Sequence, residues 1–297
     1  DNRDAAFELL RLMLAEPHFD ATAVERIRAQ LQSDVLREDN RPGEIASHAW
    51  WSAAFPDHPY GRRERGTEES LAKVTIGDLK AYRQHVFARD GLTAALVGDI
   101  DADTAGRLLD KVFGGLAAKG ELTPVPDAVP QGLGKRIVNE VDVPQSSVVF
   151  GGTGLARSDP DFMAAYIVNY ILGGGSFASR LYTEVREKRG LVYSIYESLV
   201  WMSHASATIG STATRSDATA AALTIVEQEI SRMRKDGPTA DELAKAKSFL
   251  KGSYALNLDT STKIAAQLVQ IQLDKLGIDY IDRRDAMIDA VTLDDAK

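Results

Sequence analysis

Two stretches of this chain carry the same ordered residues 219 positions apart, and each copy of a repeat has to fold into the same kind of unit. Phe19-Asp20-Ala21-Thr22-Ala23-Val24-Glu25 corresponds to Pro238-Thr239-Ala240-Asp241-Glu242-Leu243-Ala244. Leu31 then meets Leu250, and Ile45-Ala46 meets Ile264-Ala265, at the same offset of 219. Val74-Thr75-Ile76-Gly77-Asp78 pairs with Val291-Thr292-Leu293-Asp294-Asp295 at an offset of 217. Two helix pairs of similar composition can align by chance, but the co-linear order and the shared Thr-x-x-Asp cap argue against that.

The repeat also shows what has no partner. Residues 134–219, 86 in all, lack a counterpart in the first half, and Lys80 already corresponds to Lys297. The first half shows one convincing strand, with helices that have no sheet to cover. We therefore expect a native chain that begins roughly ninety residues earlier and runs roughly forty further.

Local signals predict the elements. Residues 6–14 read as a helix, and Asp20 and Thr22 open a long one, with Glu25 completing a capping box. A further helix carries Ile45, Ala49 and Trp50 and stops at Phe55-Pro56-Asp57-His58-Pro59. Thr75 and Asp78 cap a helix through His85, residues 92–97 form a buried strand, and residues 105–113 an amphipathic helix. Pro124, Pro126 and Pro130 place three prolines in seven residues, which reads as a stiff linker. Strands at 137–143 and 146–150 follow, then a helix after Ser158-Asp159-Pro160. Residues 205–213 alternate as a strand, and Leu223, Val226, Ile230 and Met233 make one helical face ended by Gly237. The expected fold is α+β, of the α/β-roll kind: two duplicated domains, each a mostly antiparallel sheet covered by helices. The first, residues 1–121, is truncated at its N-terminus; a linker covers 122–133; the second, 134–297, is truncated at its C-terminus.

Bulk properties narrow the partners. A length of 297 residues with 44% apolar content allows two cores. A net charge of −8 argues against nucleic acid, which requires a basic face. No apolar run is long enough to span a bilayer. The absence of cysteine removes disulfides and thiolate chemistry and fits a periplasmic or a cytoplasmic home equally.

The densest chemistry lies in Gly173-Gly174-Gly175-Ser176-Phe177-Ala178-Ser179-Arg180-Leu181 and its continuation to Ser194. A glycine loop ends one helix, a second helix of about ten residues follows, and Gly190 closes it before a strand. No Gly-Lys-Ser/Thr follows the glycines, so a phosphate cradle is a weak reading. Arg186 falls on the last helical turn and Tyr193 near the start of the strand, and a reversal at Gly190 lets both converge on one point. The plain alternatives are a solvated cation that suits a helix C-terminus and a sheet tyrosine with a wet hydroxyl.

With these motifs, His58-Pro59-Tyr60-Gly61 and the run from Phe87 to Asp99, nearly the whole chain resembles the pitrilysin, insulysin and mitochondrial processing peptidase family. The resemblance implies two halves that close like a clamshell around a peptide, fused or as separate subunits. One half carries His-x-x-Glu-His, with two imidazoles for zinc and a glutamate base. The other supplies an arginine and a tyrosine near the scissile bond, and Arg186 and Tyr193 match that pair. Such donors hold a peptide carbonyl and stabilise charge on its oxygen. Gly173, Gly174, Gly175 and Ser176 then form a substrate-binding loop.

No two of the five histidines, His18, His48, His58, His85 and His204, stand four apart around a glutamate. Asp34 occupies the place of the family's glutamate ligand, one methylene short, and Ile27 replaces a supporting glutamate. Zinc is thus expected in a partner subunit or upstream of residue 1, and no metal in this stretch alone. The resemblance implies the non-catalytic subunit of a two-subunit zinc endopeptidase, binding peptide and pairing with a homologous zinc-bearing subunit or with itself, in the periplasm. The alternatives are a fragment of an active zinc peptidase whose motif lies upstream, and a structural homologue that binds no peptide.

Overall fold

The structure, a computed structural model, describes residues 2–297. In chain order the helices and strands are α1 (Arg3–Ala15), α2 (Ala21–Glu38), α3 (Pro42–Ala54), α4 (Glu68–Lys73), α5 (Ile76–Val86), α6 (Ala102–Phe113) and β1 (Gln145–Thr153). They continue as α7 (Phe162–Asn169), β2 (Val192–Trp201), β3 (Ser206–Arg215), α8 (Thr219–Asp236), α9 (Ala240–Gly252), α10 (Ser261–Leu273) and α11 (Tyr280–Ala290). The fold is a mixture of helices with a small antiparallel sheet. No described helix is long and apolar enough to cross a membrane.

The chain divides into two compact units. The first comprises residues 2–36, Arg65–Pro124 and Asn257–Gly277, and the second Arg37–Glu64, Val125–Leu256 and Ile278–Lys297. In the first, α1 packs against α6, and Val35, Leu108, Val112, Leu116 and Ile271 are buried. Arg28 donates to the carbonyls of Leu71 and Val74 and so closes the end of α4.

The second unit holds the sheet, in the order β1-β3-β2 with both pairs antiparallel. Ile167, Ile171, Met233, Leu243, Leu250 and Ile288 form one core cluster from α7, the segment Tyr170–Gly174 that follows it, α8, α9 and α11. Leu181, Val185, Val192, Ile195 and Val226 form another, beneath β2. The proline-rich stretch is irregular, as its composition predicts, yet hydrogen bonds hold it in place. His58 Nε2 bonds the Pro126 carbonyl at 3.0 Å, Gln131 N–H donates to the Ala54 carbonyl at 2.7 Å, and Ala128 N–H donates to the His204 carbonyl at 2.8 Å.

The helix-forming signals hold well. Thr75 and Asp78 form the expected reciprocal cap: Thr75 N–H to Asp78 at 2.7 Å and Asp78 N–H to Thr75 at 3.1 Å. The same two bonds recur with the same lengths, 2.7 and 3.1 Å, between Thr292 and Asp295. Helices α3 and α10 are each 13 residues long and begin 219 positions apart. Three expectations change. Helix α2 begins at Ala21, which puts Thr22 inside the first turn and not at the cap. Residues 92–97 and 137–143 are irregular: a strand exists only where a neighbour completes its ladder, and no described residue pairs with either. On α8 the buried face is Ala222, Val226, Glu229 and Met233, and Ile230 is exposed.

Candidate functional site

The glycine run continues α7 with wider winding. Tyr170–Gly174 is π-helical, closed by Gly175 N–H donating to the Tyr170 carbonyl at 2.7 Å. The reason for glycine is close approach. A Cβ on Gly173 would lie 2.6 Å from Glu197 Cβ and 2.8 Å from Glu197 N, so only a bare backbone lets the helix end rest on β2. Ser176–Ala178 then form one tight turn, and Tyr182–Glu187 wind as a second π-helix. Two π segments so close together are unusual, and such segments concentrate at functional sites.

Arg186 lies on the second π segment. Lys188 and Arg189 are both tied to Glu184, at 2.7 and 2.8 Å. Arg186 forms no ion pair among the described residues; its guanidinium lies 5.2 Å from the centre of the Tyr182 ring. Its carbonyl accepts from Gly190 N–H at 2.9 Å, and Gly190 takes φ of +61°, the left-handed conformation that ends the helix and reverses the chain.

Tyr193 follows on β2 at a β-bulge. Val192 pairs with Thr214 and Ile195 with Thr212, so Tyr193 and Ser194 together oppose a single residue. The bulge lets Val192 and Ile195, three apart, both face inward, and it leaves Tyr193 87% exposed. Two buried threonines of β3 hold it: Thr212 Oγ1 donates to the Ser194 carbonyl at 2.8 Å and Thr214 Oγ1 to the Leu191 carbonyl at 2.6 Å.

Beneath the bulge, Glu197 is buried on the inner face of β2, between Ile195 and Leu199. Burial pushes its carboxyl up to about 7, against hydrogen bonds from Asn169 and Thr208 that favour the ionised form. Asn169 donates to the Glu197 carboxylate and accepts Leu199 N–H at 3.1 Å, joining the start of the π segment to the strand. The sequence reading passes over Glu197, whose one local signal is the alternation Ile195-x-Glu197-x-Leu199.

A family model described as "Peptidase M16 inactive domain" matches residues 73–250. The chain belongs to the peptidase M16 family. It is 28% identical over 279 residues to an uncharacterized zinc protease of Mycobacterium leprae, covering 91% of this chain and 61% of that protein. It is 27% identical over 258 residues to a non-peptidase homolog of Helicobacter pylori, covering 86% of this chain and 59% of that one. The crystal structure of a peptidase M16 inactive domain from Pseudomonas fluorescens superposes with a TM-score of 0.91 at 28% identity, over 99% of this chain and 70% of that one. The chain spans about three fifths of the length of the curated relatives it matches.

The zinc implied by M16 membership does not fit this donor set. A zinc site takes three or four protein ligands, and among the described residues no group of three His, Cys, Asp or Glu side chains could hold a metal ion. Asp34 is half-buried on α2. His58 uses both ring nitrogens: Nδ1 accepts Tyr60 N–H at 3.2 Å, which leaves Nε2 to donate to Pro126, so it shapes the turn.

Proposed function

We propose that this M16 chain is the non-catalytic, arginine- and tyrosine-bearing subunit of a two-subunit zinc endopeptidase. In this reading Arg186 and Tyr193 donate hydrogen bonds to a carbonyl of an extended peptide at the zinc site of a homologous partner. The observation that carries it is the pair itself. Arg186 is the one cation of its turn with no carboxylate partner among the described residues, and Tyr193 is raised into solvent by a bulge on the other side of Gly190. The match to the inactive-domain model and the non-peptidase homolog among the relatives support the non-catalytic role. Strand β2, at an edge of the sheet, suits the addition of an extended peptide. Gly173, Gly174, Gly175 and Ser176 are the substrate-side loop in this reading, supported by the packing of Gly173 and Gly174 against Glu197 of β2.

The same reading includes two duplicated domains, with boundaries at 1–121 and 134–297, closing with the partner as a clamshell in the periplasm. The recurrent Thr-x-x-Asp caps and the equal lengths of α3 and α10 support the duplication. A second reading, an active zinc peptidase whose motif lies outside this sequence, is favoured by the name of the Mycobacterium leprae relative.

The test is hydrolysis of a quenched-fluorescence peptide by the full-length chain mixed with its zinc-bearing homologue. Arg186→Ala and Tyr193→Phe should each lower kcat/KM at least about a hundredfold with no change in melting temperature, the size expected for loss of one oxyanion donor. Unchanged rates in both variants would overturn the reading. Zinc bound by the full-length chain alone, with hydrolysis, would favour the second.

A further inference from the structure

Phe177 lies outside the roles proposed for Arg186 and Tyr193, yet the loop is built to present it. Its ring is 74% exposed, and a phenylalanine in water forgoes the gain of burying its apolar surface. The loop holds it firmly. Ser176, just before it, takes φ of +48°, a strained conformation for a residue with a Cβ. Ser179 is fully buried; its hydroxyl donates to the Ser176 carbonyl at 2.8 Å and accepts Tyr182 N–H at 3.3 Å. The Phe177 ring stands edge to face against Tyr182, with centroids 4.9 Å apart at 84°. Arg186 covers the same tyrosine at 5.2 Å. One exposed apolar ring and one unpaired guanidinium thus both rest against one buried ring.

We propose that Phe177 is a specificity-determining residue, whose exposed face receives a large apolar side chain next to the peptide carbonyl held by Arg186. This rests on the peptide-binding reading of Arg186. The gain scales with the apolar area covered, so bulky side chains are favoured over small ones. Arg186, one ring away, disfavours a cationic side chain in the same place.

The test uses the full-length chain and three fluorescein-labelled dodecapeptides that differ only at one central residue: Phe, Ala or Lys. Fluorescence anisotropy should give about tenfold tighter binding of the Phe peptide than of the other two. Phe177→Ala should bring the Phe-to-Ala ratio close to one and leave the Ala peptide's affinity unchanged, and Phe177→Leu should keep most of the preference. Arg186→Ala should weaken the Phe and Ala peptides equally and the Lys peptide less, because the like charge is removed with the donor. An unchanged ratio in Phe177→Ala, a wild-type preference for the Lys peptide, or equal weakening of all three by Phe177→Ala overturns the inference while Arg186→Ala still supports peptide binding. If the wild type binds none of the peptides, or Arg186→Ala leaves all affinities as they were, the peptide-binding reading fails and this one with it.

Discussion

Arg180 and Glu242, 62 residues apart, meet in a two-pronged pair: Nε donates to one carboxylate oxygen and Nη2 to the other, each at 2.7 Å. Nη2 also donates to the Gly237 carbonyl at 3.0 Å, and Glu242 accepts Thr239 N–H at 2.8 Å as part of the α9 cap. The exit of the glycine loop is thereby tied to the turn between α8 and α9.

Removing one member of that pair is expected to be costly. Glu242→Gln leaves the Arg180 guanidinium, whose side chain is only 8% exposed, without its counter-charge, and should lower unfolding free energy in urea by about 3 kcal/mol. Arg136→Ala breaks the exposed pair with Glu227 and should cost less than about 0.5 kcal/mol in the same measurement. The Arg180 guanidinium holds the Glu242 carboxyl at about 2, below its ordinary 4.5. Its contribution is therefore present above pH 4.5 and lost as pH falls from 4.5 toward 2, and the Gln variant should lack that acid limb.

Glu197 has the opposite sign. Its carboxyl is raised from 4.5 to about 7, so the folded state holds the proton more tightly than the unfolded chain does. The stabilisation is complete below pH 4.5 and is lost as pH rises through 7. Stability should fall by about 3 kcal/mol across that window, at 1.36 kcal/mol per pH unit. Glu197→Gln, which keeps an oxygen for Asn169 to bond, should flatten that limb and raise the melting temperature at pH 8. A wild-type melting temperature that does not change between pH 5 and pH 8 would refute this.

Two glycines of the same run should respond differently to alanine. Gly173→Ala drives a methyl to within 2.6 Å of Glu197 Cβ and 2.8 Å of its backbone nitrogen, and should cost about 3 kcal/mol. Gly190→Ala meets nothing within 4 Å but must hold φ of +61°, a penalty of about 1–2 kcal/mol. Chemical denaturation of both variants reads the difference.

The bulge under Tyr193 depends on two hydroxyls. Thr212→Val and Thr214→Val preserve shape but leave the Ser194 and Leu191 carbonyls without those donors, and each should cost about 1–2 kcal/mol. The double variant should also weaken peptide binding while Tyr193 is still present, because the strand is free to regain regular pairing and turn that side chain. Anisotropy against the Phe peptide, beside a melting curve, separates the two effects.

What the residues alone determined was local. The Thr75/Asp78 and Thr292/Asp295 caps, the helix stop at Phe55, the stop at Gly237, the reversal at Gly190 and the alternation of β3 need only a few neighbouring residues, and the structure has them as read. The family was legible because its motif lies in one contiguous run from Leu172 to Ser194. Tertiary structure alone decided the rest. Residues 92–97 and 137–143 have strand-like composition but no ladder, because a strand is defined by a partner distant in sequence. The π winding around Gly173, the bulge that raises Tyr193 and the burial of Glu197 all arise where helix, strand and loop press on one another. No window of sequence contains those contacts, and packing them densely is what fixes side-chain direction.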